Sequence, residues 1–181
     1  MWRPMAIGER FDEVLAAART GAEWALTLLY RDLQPWILRY LRAQEPSEAE
    51  DLASETWIDI AQGLGRFKGD EAGFRRWVFT IARRRLVDLR RRVGGRRTAP
   101  APPEVIAARS PLGDAEAEAM TNISTRMALA RIASLPPDQA EVVLLRVLGG
   151  FDASELAEIL GKRPGAIRVL QYRACTSWPS R

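Results

Sequence analysis

Arg76, Arg83 and Arg90 recur every seventh residue in FRRWVFTIARRRLVDLRRRV, residues 74–93, a spacing that stacks three guanidinium groups on one face of a helix. Arg84 and Arg91 form a neighbouring row. Like charges stacked this way repel by about 0.2–0.5 kcal/mol per pair. A polyanion laid along the helix reverses that sign and makes binding steeply dependent on salt. The blander reading is a solvated face on which Asp88 neutralises Arg84 and Arg91 or Arg92. A second set of chemically able residues is acidic: Glu50, Asp51 and Glu55 could in principle hold a metal for cleavage of nucleic acid. Carboxylates so close on a helix mostly point apart, and the chain has no histidine to support them. The same lack, with Cys175 as the single cysteine, excludes Cys/His zinc sites, histidine-based triads and an intramolecular disulfide. No catalytic residue, metal or cofactor is expected, and no small-molecule substrate.

Binding is therefore the chemistry to look for, and composition agrees. The 181 residues carry 27 Lys+Arg against 23 Asp+Glu, a net charge of +4. Lys68 and Lys162 are the only lysines. Arginine presents a planar fork to phosphates and base edges, although a GC-rich genome also enriches it. There is no basic-then-apolar leader and no run of about 18 apolar residues, so a cytoplasmic protein without membrane insertion is expected.

The elements that position these groups read as helices throughout. Apolar residues recur at three- and four-residue spacing, and the expected helices lie near 8–18, 21–43, 47–65, 71–93, 122–134, 137–148, 153–160 and 164–174. Thr20 with Glu23, and Ser47 with Glu50, have capping-box spacing, and Asp152 with Glu155 has the acidic version. Pro136 and Pro137 lead into Asp138 and Glu141, another helix start. The arginine helix carries an apolar stripe of Phe74, Trp77, Val78, Ile81, Ala82, Leu86, Leu89 and Val93. Before it, helix 47–64 buries Leu52, Ala53, Thr56, Trp57, Ile60 and Leu64, and sets Asp51, Glu55 and Asp59 on an outer line. That line repels phosphate but suits a basic protein partner. Between the two, GRFKGDEAGF places Phe67 and Phe74 around a glycine-punctuated turn, where an aromatic ring could hold an unstacked base or simply edge the core.

Residues 94–113, GGRRTAPAPPEVIAARSPLG, hold four prolines and no lasting apolar period, so they read as a linker. Beyond it, ASELAEILGKRPGAIRVLQYRA has the spacing of a helix-turn-helix. Ala157 admits the second helix, Gly161 makes the turn, and Ile167 and Leu170 face inward. Arg163, Ala166, Arg168, Gln171 and Arg173 are then left for a major groove and its phosphates. An ordinary helical hairpin would share the spacing but not the cationic outer face.

In this order the pieces resemble a bacterial RNA polymerase sigma factor of the extracytoplasmic-function (ECF) type. DLASETW, residues 51–57, resembles region 2.2, which docks on the polymerase. FRRWVFTIARRRLVDLRRR resembles regions 2.3 and 2.4, which melt and read the minus-ten element, and LPPDQAEVVLLRVLGGFDASELAEILGKRPGAIRVLQYRA resembles region 4, which reads the minus-thirty-five element. The resemblance implies an all-α fold of two helical domains on a flexible linker: 1–94, linker 95–121, and 122–181 with the helix-turn-helix. It implies polymerase docking by Asp51, Leu52, Glu55 and Trp57 or their supporting core, and minus-ten contacts from Phe67, Lys68, Arg76, Arg83, Arg84, Asp88, Arg90 and Arg91. Minus-thirty-five contacts fall to Arg163, Ala166, Arg168, Gln171 and Arg173. The implied partners are core RNA polymerase, promoter DNA and an anti-sigma factor, with the polymerase supplying the chemistry. A stand-alone helix-turn-helix regulator is the alternative, but it leaves the acidic and arginine helices without a joint purpose. Two departures stand out: Arg84 occupies a position where the family usually has asparagine, and CTSWPSR, residues 175–181, replaces the usual basic tail. Pro179 blocks further helix there, so weaker minus-thirty-five binding is expected.

Overall fold

The computed structural model describes residues 7–94, 131–132 and 134–176. Among them the chain is all-helical: α1 Phe11–Arg19, α2 Glu23–Gln44, α3 Ala49–Gly63, α4 Glu71–Gly94, α5 Pro137–Gly149, α6 Ala153–Leu160 and α7 Pro164–Thr176. A short 3-10 turn, Gly8–Arg10, leads into α1. α4 ends at Gly94, where the linker was expected to begin; residues 95–121 lie outside the described residues. So does most of the expected helix 122–134, of which Arg131 and Ile132 are helical.

Helix ends test the capping expectations one by one. Asp152 is the N-cap of α6, accepting from the Ser154 and Glu155 amides while Glu155 accepts from the Asp152 amide at 2.9 Å. Pro137 opens α5 behind Pro136, as its missing N–H favours. The other two capping boxes do not form. Thr20 closes α1 instead, its hydroxyl donating to the Ala17 carbonyl at 2.8 Å, and α2 starts from Ala22 without a side-chain cap. α3 starts from Glu48, again uncapped by a side chain, and Glu50 turns to Arg42.

α1 to α4 enclose one core. α3 packs on α4 and α2, and α1 on α2, through Val14, Leu29, Leu33, Ile37, Leu52, Ile60, Phe74, Val78 and Leu86, all nearly or fully buried. α5, α6 and α7 close a second, smaller core around Leu144, Leu145, Leu156 and Ile167. Gly161 makes the sharp turn between α6 and α7 at φ +62°, a left-handed conformation that a Cβ disfavours. The two units are not separate bodies. α4 packs on α6 and α5, and α2 packs on α5, so the cores meet in one continuous apolar interior.

Candidate nucleic-acid interface

α4 is long enough to serve four neighbours, α2, α3, α5 and α6, and its faces are divided among them. Phe74, Val78, Ile81, Ala82 and Leu86 of the expected stripe are buried, Trp77 and Leu89 half-buried, while Val93 near the C-terminal end is exposed. The arginine rows lie on the remaining faces, and most of their members already hold a carboxylate. Arg83 donates to Glu141 of α5 at 3.0 Å, and Arg76 reaches Glu158 at 3.1 Å and Glu155 at 3.7 Å on α6. Arg90 donates to Glu45 at 2.9 Å and to the Gln44 side chain at 3.0 Å. Arg91 is exposed. Arg84 pairs with Asp59 of α3 at 2.8 Å and keeps 61% of its side chain in solvent. Asp88 does not neutralise Arg84 in this arrangement; its backbone carbonyl accepts from Arg92 instead.

The α3–α4 seam corrects the acidic line of the sequence reading. Asp51 is exposed, but Asp59 retains only 11% side-chain exposure because it faces α4, where Arg85 grips it with two nitrogens. Glu55 is drawn the same way, 3.4 Å from Arg85. The Arg85 hydrogen bonds, with those of Arg84 and against some burial, hold the Asp59 carboxyl below its ordinary range. The native state therefore sheds this proton at lower pH than the unfolded chain. The resulting stabilisation is full above about pH 4 and is lost as pH falls through the depressed value. Arg85→Ala is expected to cost about 1–2 kcal/mol at pH 7, less than a fully buried pair because the guanidinium is partly solvated. Urea midpoints at pH 7 and pH 3 should show the loss at pH 7 and a smaller one at pH 3.

Leu52 is 2% exposed, so it supports α3 from within and offers nothing to a partner. Trp57 is half-buried, its indole N–H donating to Gln34 at 2.6 Å and its ring 5.0 Å from that of Tyr30. With Ile58 and Tyr30 exposed beside it, α2 and α3 present an aromatic and aliphatic patch next to Asp51. The loop after α3 is more rigid than its glycines suggested. Phe67 packs 5.2 Å from both Phe74 and Trp77, so its ring belongs to the core edge and is not free to stack on a base. Arg19 of α1 donates to the Leu64 and Phe67 carbonyls and pins the loop from below. Lys68 remains exposed at the loop tip.

α7 presents its outer face as expected. Arg163, Ala166, Arg168 and Arg173 are exposed, while Ile167 is fully buried and Leu170 half-buried beneath them. Gln171 is the exception: it is half-buried, and its Nε2 lies inside with no hydrogen-bond partner among the described residues. Val169 and Tyr172 join the exposed face, at 48% and 70% exposure. Residues 177–181 of the atypical tail lie outside the described residues, and α7 runs to Thr176, two residues past its expected end.

Four residues to which the sequence reading assigned no part in a site tie the two units together. Phe79 is fully buried, edge-on to Tyr40 at 5.8 Å and to Phe151 at 5.3 Å. The Tyr40 hydroxyl donates to Glu141 at 3.0 Å in a fully buried site. Burial, followed by the neighbouring Glu141 charge, pushes the Tyr40 phenol well above its usual range. The signal available was Phe79 itself, an aromatic three residues after Arg76 and four before Arg83, inside the cationic face.

Two family descriptions match the chain: Sigma-70 region 2 over residues 29–96 and Sigma-70, region 4 over residues 125–177. The ECF RNA polymerase sigma factor SigD of Mycobacterium tuberculosis is 32% identical over 177 residues, covering 92% of this chain and 81% of that protein. ShbA of Streptomyces griseus, also an ECF RNA polymerase sigma factor, is 34% identical over 155 residues, covering 81% of each chain. Among solved structures, CnrH in complex with the cytosolic domain of CnrY shares the fold with a TM-score of 0.63 at 18% identity, over 93% of this chain and 94% of that one.

Proposed function

The chain belongs to the ECF sigma factors of bacterial RNA polymerase, and from that premise we propose that α3 docks on the polymerase while α4 and α7 divide the promoter between them. As a sigma factor it binds core RNA polymerase and directs promoter recognition and transcription initiation; such factors are not themselves catalysts. Asp51 and Trp57, with the exposed Ile58 and Tyr30, make the docking face. Lys68, Arg76, Arg83, Arg84, Arg90 and Arg91 contact the melted or duplex minus-ten element, with Asp88 and Phe67 in supporting positions. Arg163, Ala166, Arg168 and Arg173 face the minus-thirty-five element. The observation that carries this division is the placing of the acidic helix directly against the arginine helix. α3 neutralises Arg85 through Asp59, while Arg84 keeps 61% of its side chain in solvent and Arg91 is exposed beside it.

No helix among the described residues is long and apolar enough to cross a membrane, in keeping with a cytoplasmic site of action. An anti-sigma factor is the further partner we propose, as the family resemblance implies. Run-off transcription with purified core polymerase and genomic promoter fragments tests the whole reading. Promoter-specific starts should depend on this protein, and absence of core binding would sink it. Arg163→Ala and Arg168→Ala should each weaken promoter binding by about 1–3 kcal/mol, roughly 5- to 150-fold, and leave core binding unchanged.

A further inference from the structure

Two consecutive arginines of α4 converge on the covered carboxylate of Asp59 at the α3–α4 seam. Arg85 grips it with both edges of its fork: Nε donates to Oδ2 at 2.7 Å, and Nη2 donates to Oδ1. With both oxygens taken, the carboxylate is held in one orientation. Arg84 then donates from Nη2 to the same Oδ2 at 2.8 Å. That bond engages one nitrogen of the guanidinium, and 61% of the Arg84 side chain stays in solvent. A complete two-donor edge of the Arg84 fork is therefore left open. Arg91, exposed two turns further along α4, makes no ion pair among the described residues. The helix thus carries one exposed arginine that is fastened from behind and one that is not.

We propose that Asp59 is the positioning residue for Arg84, and that the guanidinium it holds reads the O6 and N7 acceptors of one guanine in the minus-ten element. This rests on the assignment of α4 to that element made above. The choice of a base over a phosphate follows from what the carboxylate does to its arginine. A phosphate accepts from almost any direction and carries no sequence information, so a fixed fork gains little on it. The carboxylate also weakens the local field, because Asp59, Arg84 and Arg85 together carry a single positive charge. A base edge is different. Guanine sets two acceptors side by side where adenine sets an acceptor beside a donor, and a fork held at one angle tells them apart. Arg84 is held before DNA arrives, so it gives up less rotamer freedom on binding than a loose arginine does. Asp59 keeps only 11% side-chain exposure, so it orients the fork without presenting its own charge to the DNA. Arg91, unheld, suits a phosphate.

The test uses core polymerase with the full chain and promoter fragments randomised through the minus-ten region. Fragments that initiate transcription should share a guanine at one position. Replacing that guanine by 7-deazaguanine removes N7 and leaves base pairing intact, and initiation with the unaltered chain should then fall about tenfold. Arg84→Lys keeps the charge but loses the fork, so it should select no guanine there and treat the two bases alike. Asp59→Asn should narrow the ratio of guanine to 7-deazaguanine activity to about twofold or less. A loss of stability or a change of surface charge alters both fragments equally, so the ratio isolates positioning. Arg85→Lys loosens the grip on Asp59 without emptying the seam, and it should narrow the ratio as well. The absence of a shared guanine overturns the proposal, as does a guanine preference that survives Arg84→Lys. A ratio unchanged in Asp59→Asn and Arg85→Lys also overturns it, leaving Arg84 and Asp59 as a surface ion pair only. Failure of the sigma reading is separate: no fragment would initiate and core polymerase would not be bound.

Discussion

Replacing Phe79 by alanine is expected to lower the unfolding free energy by about 3–5 kcal/mol, the usual cost of emptying a buried aromatic site. The ring has no solvent exposure, and its two aromatic neighbours come from different units, Tyr40 on α2 and Phe151 just before α6. Neither neighbour can collapse into the space without moving the backbone that holds it, α2 for Tyr40 and the α5–α6 connection for Phe151, which places the loss towards the upper end of the range. Gly149 adds a constraint: a Cβ there would lie 2.0 Å from the Phe151 ring, so that ring is already packed against the end of α5. Urea unfolding followed by circular dichroism and by tryptophan fluorescence measures the effect. A loss under 1 kcal/mol would mean that the two units are undocked in solution, because an exposed Phe79 has little to lose.

Ile167→Asp should produce the second large effect, and a selective one. Ile167 is fully buried beneath the exposed arginines of α7. A carboxylate at that position loses its water without gaining a partner, a cost of roughly 3–5 kcal/mol against a core as small as that of α5 to α7. The helix-turn-helix should lose its packing, and binding to minus-thirty-five DNA should fall by at least about 100-fold. Core polymerase binding through α3 should persist, since Leu52, Ile60 and Phe74 belong to the other core. Ile167→Val is the mild comparison, costing about 0.5–1.5 kcal/mol. Gel-shift titration beside core pull-down separates the outcomes. Equal loss of both activities would show that the two cores unfold as one.

The sequence carried the elements well and their meeting badly. Periodicity located all seven described helices, because each has one face that must leave water, and a stripe records that face regardless of what covers it. The Asp152 cap and the Gly161 turn were readable for a similar reason: both satisfy backbone demands a few residues away. Thr20 and Ser47 misled because their spacing to a glutamate is also met by chance. The Thr20 hydroxyl found the Ala17 carbonyl first. Asp59 misled differently. It lies on the same line as Asp51, but a helix line turns relative to its neighbour, and Arg85 captures the far end of it. The contact between units left almost no trace in the sequence. Glu141 and Arg83 are ordinary charges on separate helices, 58 residues apart, and no one-helix pattern records a pair between distant helices.

Arg19 reaches forward to the Leu64 and Phe67 carbonyls, and Phe11 rests 5.6 Å from Phe74. Both residues precede the segment matched by Sigma-70 region 2, which starts at residue 29. The segment that the region 2 description matches is therefore shorter than the core into which it packs. A fragment cut at residue 29 would leave the floor of the α3–α4 turn open, with Phe74 facing water where Phe11 had been. Its DNA contacts would then be measured on a loop that the intact chain holds still. Any minimal promoter-melting fragment of this protein has to start before α1.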